Sequence, residues 1–146
     1  MGLFDKVFSK NTTDELNAPE AFAGIALCAV AADGVITEEE AISLSVNLMN
    51  RKLYNGYSDR EMRTVFNKLI TIINSEGVTS LMEKSAKALP EDLRQTAFAV
   101  TTDLLLADGV MATSEKKFLE QLQKNLQLTD EIALKIAEVI SIKNKG

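Results

Sequence analysis

Apolar residues recur along this chain at intervals of three and four, and no segment alternates long enough to read as a strand. The clearest run is Met62, Val65, Phe66, Leu69, Ile70 and Ile73. It predicts an amphipathic helix that starts at Ser58 or Asp59 and breaks at Gly77. Before it, "PEAFAGIALCAVAA" is apolar nearly all round, which predicts a central helix buried on every side. Pro19 suits its first turn, with Asn17 or Ala18 as the cap. Thr37 and Glu40 form a T-x-x-E capping box that opens "EEEAISLSVNLMNRKL", and "YNGY" closes that helix. After Gly77, "VTSLMEKSAKAL" reads as a shorter helix, and Pro90 begins another mostly apolar one, "PEDLRQTAFAVTTDLLLA". Thr113 or Ser114 starts "EKKFLEQLQKNL". Thr129 starts "DEIALKIAEVISIKN", with Ile132, Ile136, Val139 and Ile140 on one side. The expectation is an all-α bundle of about seven helices.

The pattern also repeats. An apolar helix runs into Ala-Asp-Gly at residues 32–34 and again at 107–109, and a Glu follows seven positions after each Asp. A polar turn then leads to a further amphipathic helix, "YSDREM" in one case and "LTDEIA" in the other. Two similar halves, about 18–75 and 90–144, account for this. They would form one domain over 17–146, preceded by an arm at 1–16.

Composition narrows the chemistry. The chain has 146 residues, enough for one domain with a sizeable core. A net charge of −5 speaks against general nucleic-acid binding, so no nucleic acid is expected as partner. There is no His, which removes Ser-His and Cys-His nucleophile pairs and His metal ligands. The single cysteine, Cys28, lies in an apolar run and reads as a buried structural thiol. With no paired nucleophile and base, no orienting basic cluster and no phosphate loop, an enzyme is not expected. No apolar run approaches a membrane span and no leader pattern is visible, so the cytoplasm is the expected compartment.

Asp-Gly-x-x-x-x-x-Glu has two readings. In one it is helix punctuation: Gly ends a helix, and Glu at the third position of the next caps it. This accounts for residues 31–40 in full. In the second copy Ala112 stands where Thr37 does, so the side-chain cap lapses while Asp108 and Glu115 keep their spacing. In the other reading, "DGVITEEE" matches the last eight positions of an EF-hand calcium loop, with Asp33 at position five and Glu40 at the bidentate end. Positions one and three would be Ala29 and Ala31, or Leu104 and Leu106, so neither loop alone is an EF-hand. Two half-loops face to face would pool Asp33, Glu40, Asp108 and Glu115, with backbone carbonyls from Val35 and Val110. Such an all-oxygen set selects calcium, magnesium or manganese. Asp103 is a fifth candidate ligand, on a side of its helix expected to face inward.

The doubled "ADG…E" motif and the closing "LLADGVMATSEKKFLEQLQKNLQLTDE" resemble the TerB-like tellurite-resistance family over roughly residues 18–142. That resemblance implies a compact helical fold of two similar halves. It also implies metal binding by Asp33, Glu40, Asp108 and Glu115, and a place in bacterial resistance to tellurite and other stresses near membrane-linked complexes. The second half departs from the first in having "MATS" where the first has "ITEE". The leading expectation is therefore a non-enzymatic, divalent-metal-binding or metal-responsive scaffold. The alternative is a metal-free helical adaptor for a protein partner or membrane-associated complex. In "MGLFDKVFSK" the residues Leu3, Phe4, Val7 and Phe8 would share one edge of a short helix, which offers peripheral contact with the inner membrane or a partner through residues 1–10.

Overall fold

The computed structural model describes residues 15–32, 35–107 and 110–145. Seven α-helices and two short 3-10 turns account for most of these residues, and no strand occurs among them. The helices are α1 (Ala18–Val30), α2 (Glu38–Met49), α3 (Asp59–Glu76), α4 (Val78–Ala88), α5 (Arg94–Leu105), α6 (Thr113–Asn125) and α7 (Asp130–Lys143). The all-α expectation holds, and the helices pack as one bundle. None is long and apolar enough to cross a membrane.

α1 is the axis of the bundle, as its apolar surface requires. Every residue from Ala21 to Ala29 is buried, and the helix packs on α4, α5, α3 and α2. Gly24 permits the approach to α4, because a Cβ there would overlap the Ser85 hydroxyl. Cys28 is fully buried and lies 3.5 Å from the Val78 carbonyl oxygen. Burial pushes its thiol up to about 12, so it is an inert core residue.

Local capping sets most of the helix starts. Asn17, Thr37 and Ser58 each accept a hydrogen bond from the N–H of the Glu three residues on, and each Glu bonds back to the cap N–H. Thr129 caps α7 through its hydroxyl. Gly77 joins α3 to α4 at φ +94°, a backbone region that costs an L side chain about 1–3 kcal/mol.

Two boundaries differ from expectation. α2 stops at Met49 instead of running to Leu53, because Arg51 is extended and a 3-10 turn, Lys52–Tyr54, follows. That turn buries Tyr54, whose hydroxyl donates to the Pro19 carbonyl at 2.7 Å and ties the α2–α3 link to the start of α1. Pro90 opens a 3-10 turn, Glu91–Leu93, and α5 begins only at Arg94. α6 starts at Thr113, one of the two expected positions, with Ala112 at the cap position.

Two apolar stripes are divided differently from expectation. On α3 the core takes Met62, Val65, Phe66, Leu69 and Ile72, whereas Ile70 and Ile73 are only partly buried. On α7 only Ala133 is fully buried. Ile132, Ile136 and Ile140 are half-buried, and Val139 faces solvent at 62% exposure. α7 packs chiefly on α5, so it has one neighbour to cover a stripe that is wider than one neighbour can reach.

Candidate functional site

The acidic loops are built from the helix ends that flank them. Asp33, Gly34, Asp108 and Gly109 lie outside the described residues, as does the arm at 1–14. The two Glu residues of the motif are described, and both are engaged. Glu40 accepts from the Thr37 backbone N–H at 3.1 Å and from the Thr37 hydroxyl at 2.9 Å. Its own N–H donates to that hydroxyl at 3.1 Å. Glu115 accepts from the Ala112 N–H at 2.8 Å.

The side-chain cap does lapse in the second copy, but the capping box is not wholly absent. Half of the reciprocal box survives, because the Glu carboxylate needs only a backbone N–H at the cap position and Ala supplies one. Persistence of Glu115 at this spacing thus has a sufficient cause in helix capping and the helix dipole.

Asp103 does not face inward. Its side chain is 39% exposed, with Lys143 at 3.3 Å and Asn144 donating at 3.0 Å, so α5 is pinned to the end of α7. The helical phase that suggested an inward side chain points it along the α5–α7 seam, where the last turn of α7 supplies its partners. Among the described residues no three His, Cys, Asp or Glu side chains gather as a metal-holding group, so Glu40, Asp103 and Glu115 are not brought together as one. Val35 and Val110, the expected carbonyl donors, are 62% and 72% exposed.

A different feature stands out between α2 and α3, and sequence reasoning missed it. Ala41, Leu44 and Leu48 turn one side of α2 into the core. About one residue step round the helix lies a second apolar line, Ile42, Val46 and Met49. Ile42 and Val46 are 56% and 59% exposed. They face Ile70 and Ile73 of α3, the residues that the core leaves out. The two helices thereby wall an open groove of about 740 Å³. Met62 and Phe66 form its buried floor, while Glu38, Asp59 and Arg63 mark its edges. Its volume is in the range of ligand- and peptide-binding clefts. The signal was present in the sequence. "AISLSVNLM" carries six apolar residues on two sides of one helix, more than a single core face uses.

The groove combines apolar walls with polar edges. Its described lining adds the Thr37 and Ser45 hydroxyls and the Asn67 and Asn74 amides to the edge charges. Comparison of the chain with protein-family models, with curated proteins and with solved structures finds no match. The TerB-like resemblance therefore stands on the residues that suggested it.

Proposed function

We propose that this chain is a non-enzymatic helical adaptor that takes an amphipathic helix of a protein partner in the groove between α2 and α3. The observation that carries the reading is the paired exposure of Ile42 and Val46 opposite Ile70 and Ile73. Fully burying such a side chain is worth about 1.5–3 kcal/mol, so the two exposed ones leave roughly 1 kcal/mol each unrealised in the isolated chain. Helix-in-groove recognition uses apolar anchors one turn apart, and both walls present apolar residues at that spacing. Glu38, Asp59 and Arg63 at the edges supply the polar rim that fixes orientation.

Divalent-cation binding at the Asp-Gly loops has less support. Glu40 and Glu115 already accept backbone N–H groups, and Asp103 is paired with Lys143. A cation would draw on Asp33 and Asp108 and would compete with the caps for the rest. A tie to tellurite or stress resistance rests on the resemblance alone.

The test is selection from a displayed random-peptide library against the full chain. Winners should carry apolar residues at i, i+3 or i+4, and i+7, and should lose binding to the Ile42→Asp/Val46→Asp chain. A library that yields no binders, or binders indifferent to that double substitution, refutes the adaptor reading.

A further inference from the structure

We propose that α2 of a second copy of this chain fills the groove, running antiparallel to α2 about a two-fold axis, with Ile42 against the partner's Val46 and Val46 against the partner's Ile42. The inference rests on the groove being a helix-binding surface and names the helix that it takes.

Loss of charge is the first ground. Residues 41–50, "AISLSVNLMN", hold no charged residue, although one side of α2 lies at the surface. Ile42, Ser43, Val46, Asn47 and Asn50 are all exposed. On α6 and α7, which also have a surface side, a charged residue returns in nearly every turn. The centre of a protein interface is depleted of charge, and its rim is polar. α2 follows that layout, with Glu38 and Glu39 before the uncharged run and Arg51 and Lys52 after it.

Chain direction is the second ground. Lys68 of α3 meets Glu20 near the start of α1, and Val78, just past α3, meets Cys28 near the end of α1. α3 therefore runs with α1. α2 begins after the end of α1 and leads into Tyr54, which is bonded to Pro19 at the start of α1. α2 therefore runs against both. One end of the groove holds Glu38 with Ile73 and Asn74, and the other holds Met49 with Arg63 and Asp59.

These two grounds together select the occupant. A helix antiparallel to α2 sets its first turn beside Arg63 and Lys52 and its last turn beside Glu38 and Glu39. α2 has acidic residues in its first turn and exposed Lys52 just past its end, so two copies match at both ends. Asp59 offsets part of the match. None of Glu38, Glu39, Lys52 and Arg63 forms an ion pair among the described residues. A parallel pair would set like charges together. Ile42 and Val46 are one turn apart on one line, so the apolar contact is self-complementary, as a two-fold interface requires. α2 has 12 residues and is about 18 Å long, so the interface is small and the dimer dissociates at roughly micromolar concentration or above.

Sedimentation of the full chain over a range from micromolar to near millimolar tests the inference. The unaltered chain should pass from monomer to dimer, and Ile42→Asp/Val46→Asp should stay monomeric. Two charge-reversed chains test the direction. Glu38→Lys/Glu39→Lys and Lys52→Glu/Arg63→Glu should each dimerise about tenfold more weakly, because each sets like charges at both ends. Their equimolar mixture should regain the dimer, since both ends then match between unlike copies. A dimer that survives Ile42→Asp/Val46→Asp forms elsewhere and overturns the inference. Charge-reversed chains that pair as well as the original, or a mixture no better than its components, overturn the antiparallel seat. A chain that stays monomeric but binds library-selected peptides overturns the second copy as occupant and leaves the groove reading intact. A monomeric chain with no binders removes both.

Discussion

Replacing Ala112 by Ser separates helix capping from metal ligation at the second Asp-Gly loop. Ala112 has φ −67° and ψ 159°. The three side-chain caps that form full boxes have nearly the same backbone: Asn17 at −82° and 176°, Thr37 at −86° and 155°, Ser58 at −82° and 166°. In Thr37 and Ser58 the hydroxyl sits 3.1 Å from the N–H of the Glu three residues on. A hydroxyl at 112 would be placed in the same way for the Glu115 N–H, which now turns to the Ala112 carbonyl at 3.1 Å. Exchanging Ala for Ser at a helix cap is worth about 1 kcal/mol. For a domain of this size that raises Tm by roughly 3 °C. Conversely, Glu115→Ala loses the 2.8 Å bond to the Ala112 N–H and a negative charge at the helix start, together about 1 kcal/mol at this half-exposed position. Both changes are read from urea unfolding at constant slope, with a chelator present and with millimolar calcium. Capping predicts the same shifts in both buffers. A Glu115→Ala loss that appears only with calcium, or an Ala112→Ser chain no more stable than the original, would refute the capping account.

Tyr54→Phe removes the hydroxyl's bond to the Pro19 carbonyl and should cost about 0.5–1.5 kcal/mol in urea unfolding; an unchanged midpoint counts against the 2.7 Å bond as a tie between α1 and the α2–α3 link. Burial first, then the neighbouring Tyr57, raise the Tyr54 phenol above its ordinary value of 10.0, with Arg51 opposing. A raised folded value means that the fold favours the neutral phenol, so this stability is whole below pH 10 and falls as pH climbs beyond it. Buried Cys28 adds an earlier decline, from its ordinary 9.0 toward about 12. Midpoints measured from pH 8 to 11 should fall less steeply in Tyr54→Phe, and parallel curves would contradict the assignment. Gly77→Ala should cost about 1–3 kcal/mol although nothing lies within 4 Å of the added carbon, because φ is +94° there; a neutral outcome would mean that the α3–α4 joint adapts. Asp103→Ala should cost under about 1 kcal/mol and less in high salt, as a half-exposed pair with Lys143 implies, and a loss of several kcal/mol would show the carboxylate to be structurally essential.

Helix starts were legible because capping is local chemistry. Thr37 with Glu40 can be read without knowing what α2 packs against, and Ser58 with Glu61 works the same way. Ala112 was misread for the complementary reason: the eye goes to the absent hydroxyl, yet the surviving bond uses a backbone N–H that every non-proline residue carries. Periodicity predicted that α3 is amphipathic but not how its apolar arc is shared. Ile72 belongs to the core while Ile70 and Ile73 line the groove, and only the positions of α1 and α2 decide that. Val139 on α7 is the same failure in a helix with fewer neighbours. The end of α2 escaped because Tyr54 is drawn to Pro19, 35 residues away in sequence. The groove itself was written in "AISLSVNLM" as an excess of apolar positions, which a reading aimed at charged residues passes over.

The loop and the groove are not independent candidates, because α2 belongs to both. Its first turn is held by Glu40 on Thr37, and Thr37 and Glu38 also line the groove beside Ile42. A cation that recruited Glu40 would take its carboxylate from two donors and release that turn, moving one wall relative to Ile70 and Ile73. The same coupling would run backwards: a peptide that fixes α2 against α3 holds the Thr37 cap closed and opposes the cation. Linkage makes the two effects equal in free energy, so a given change in peptide affinity caused by calcium must reappear as the same factor in calcium affinity caused by peptide. Silence in both directions would leave the Thr37 cap and the groove as uncoupled features that share α2.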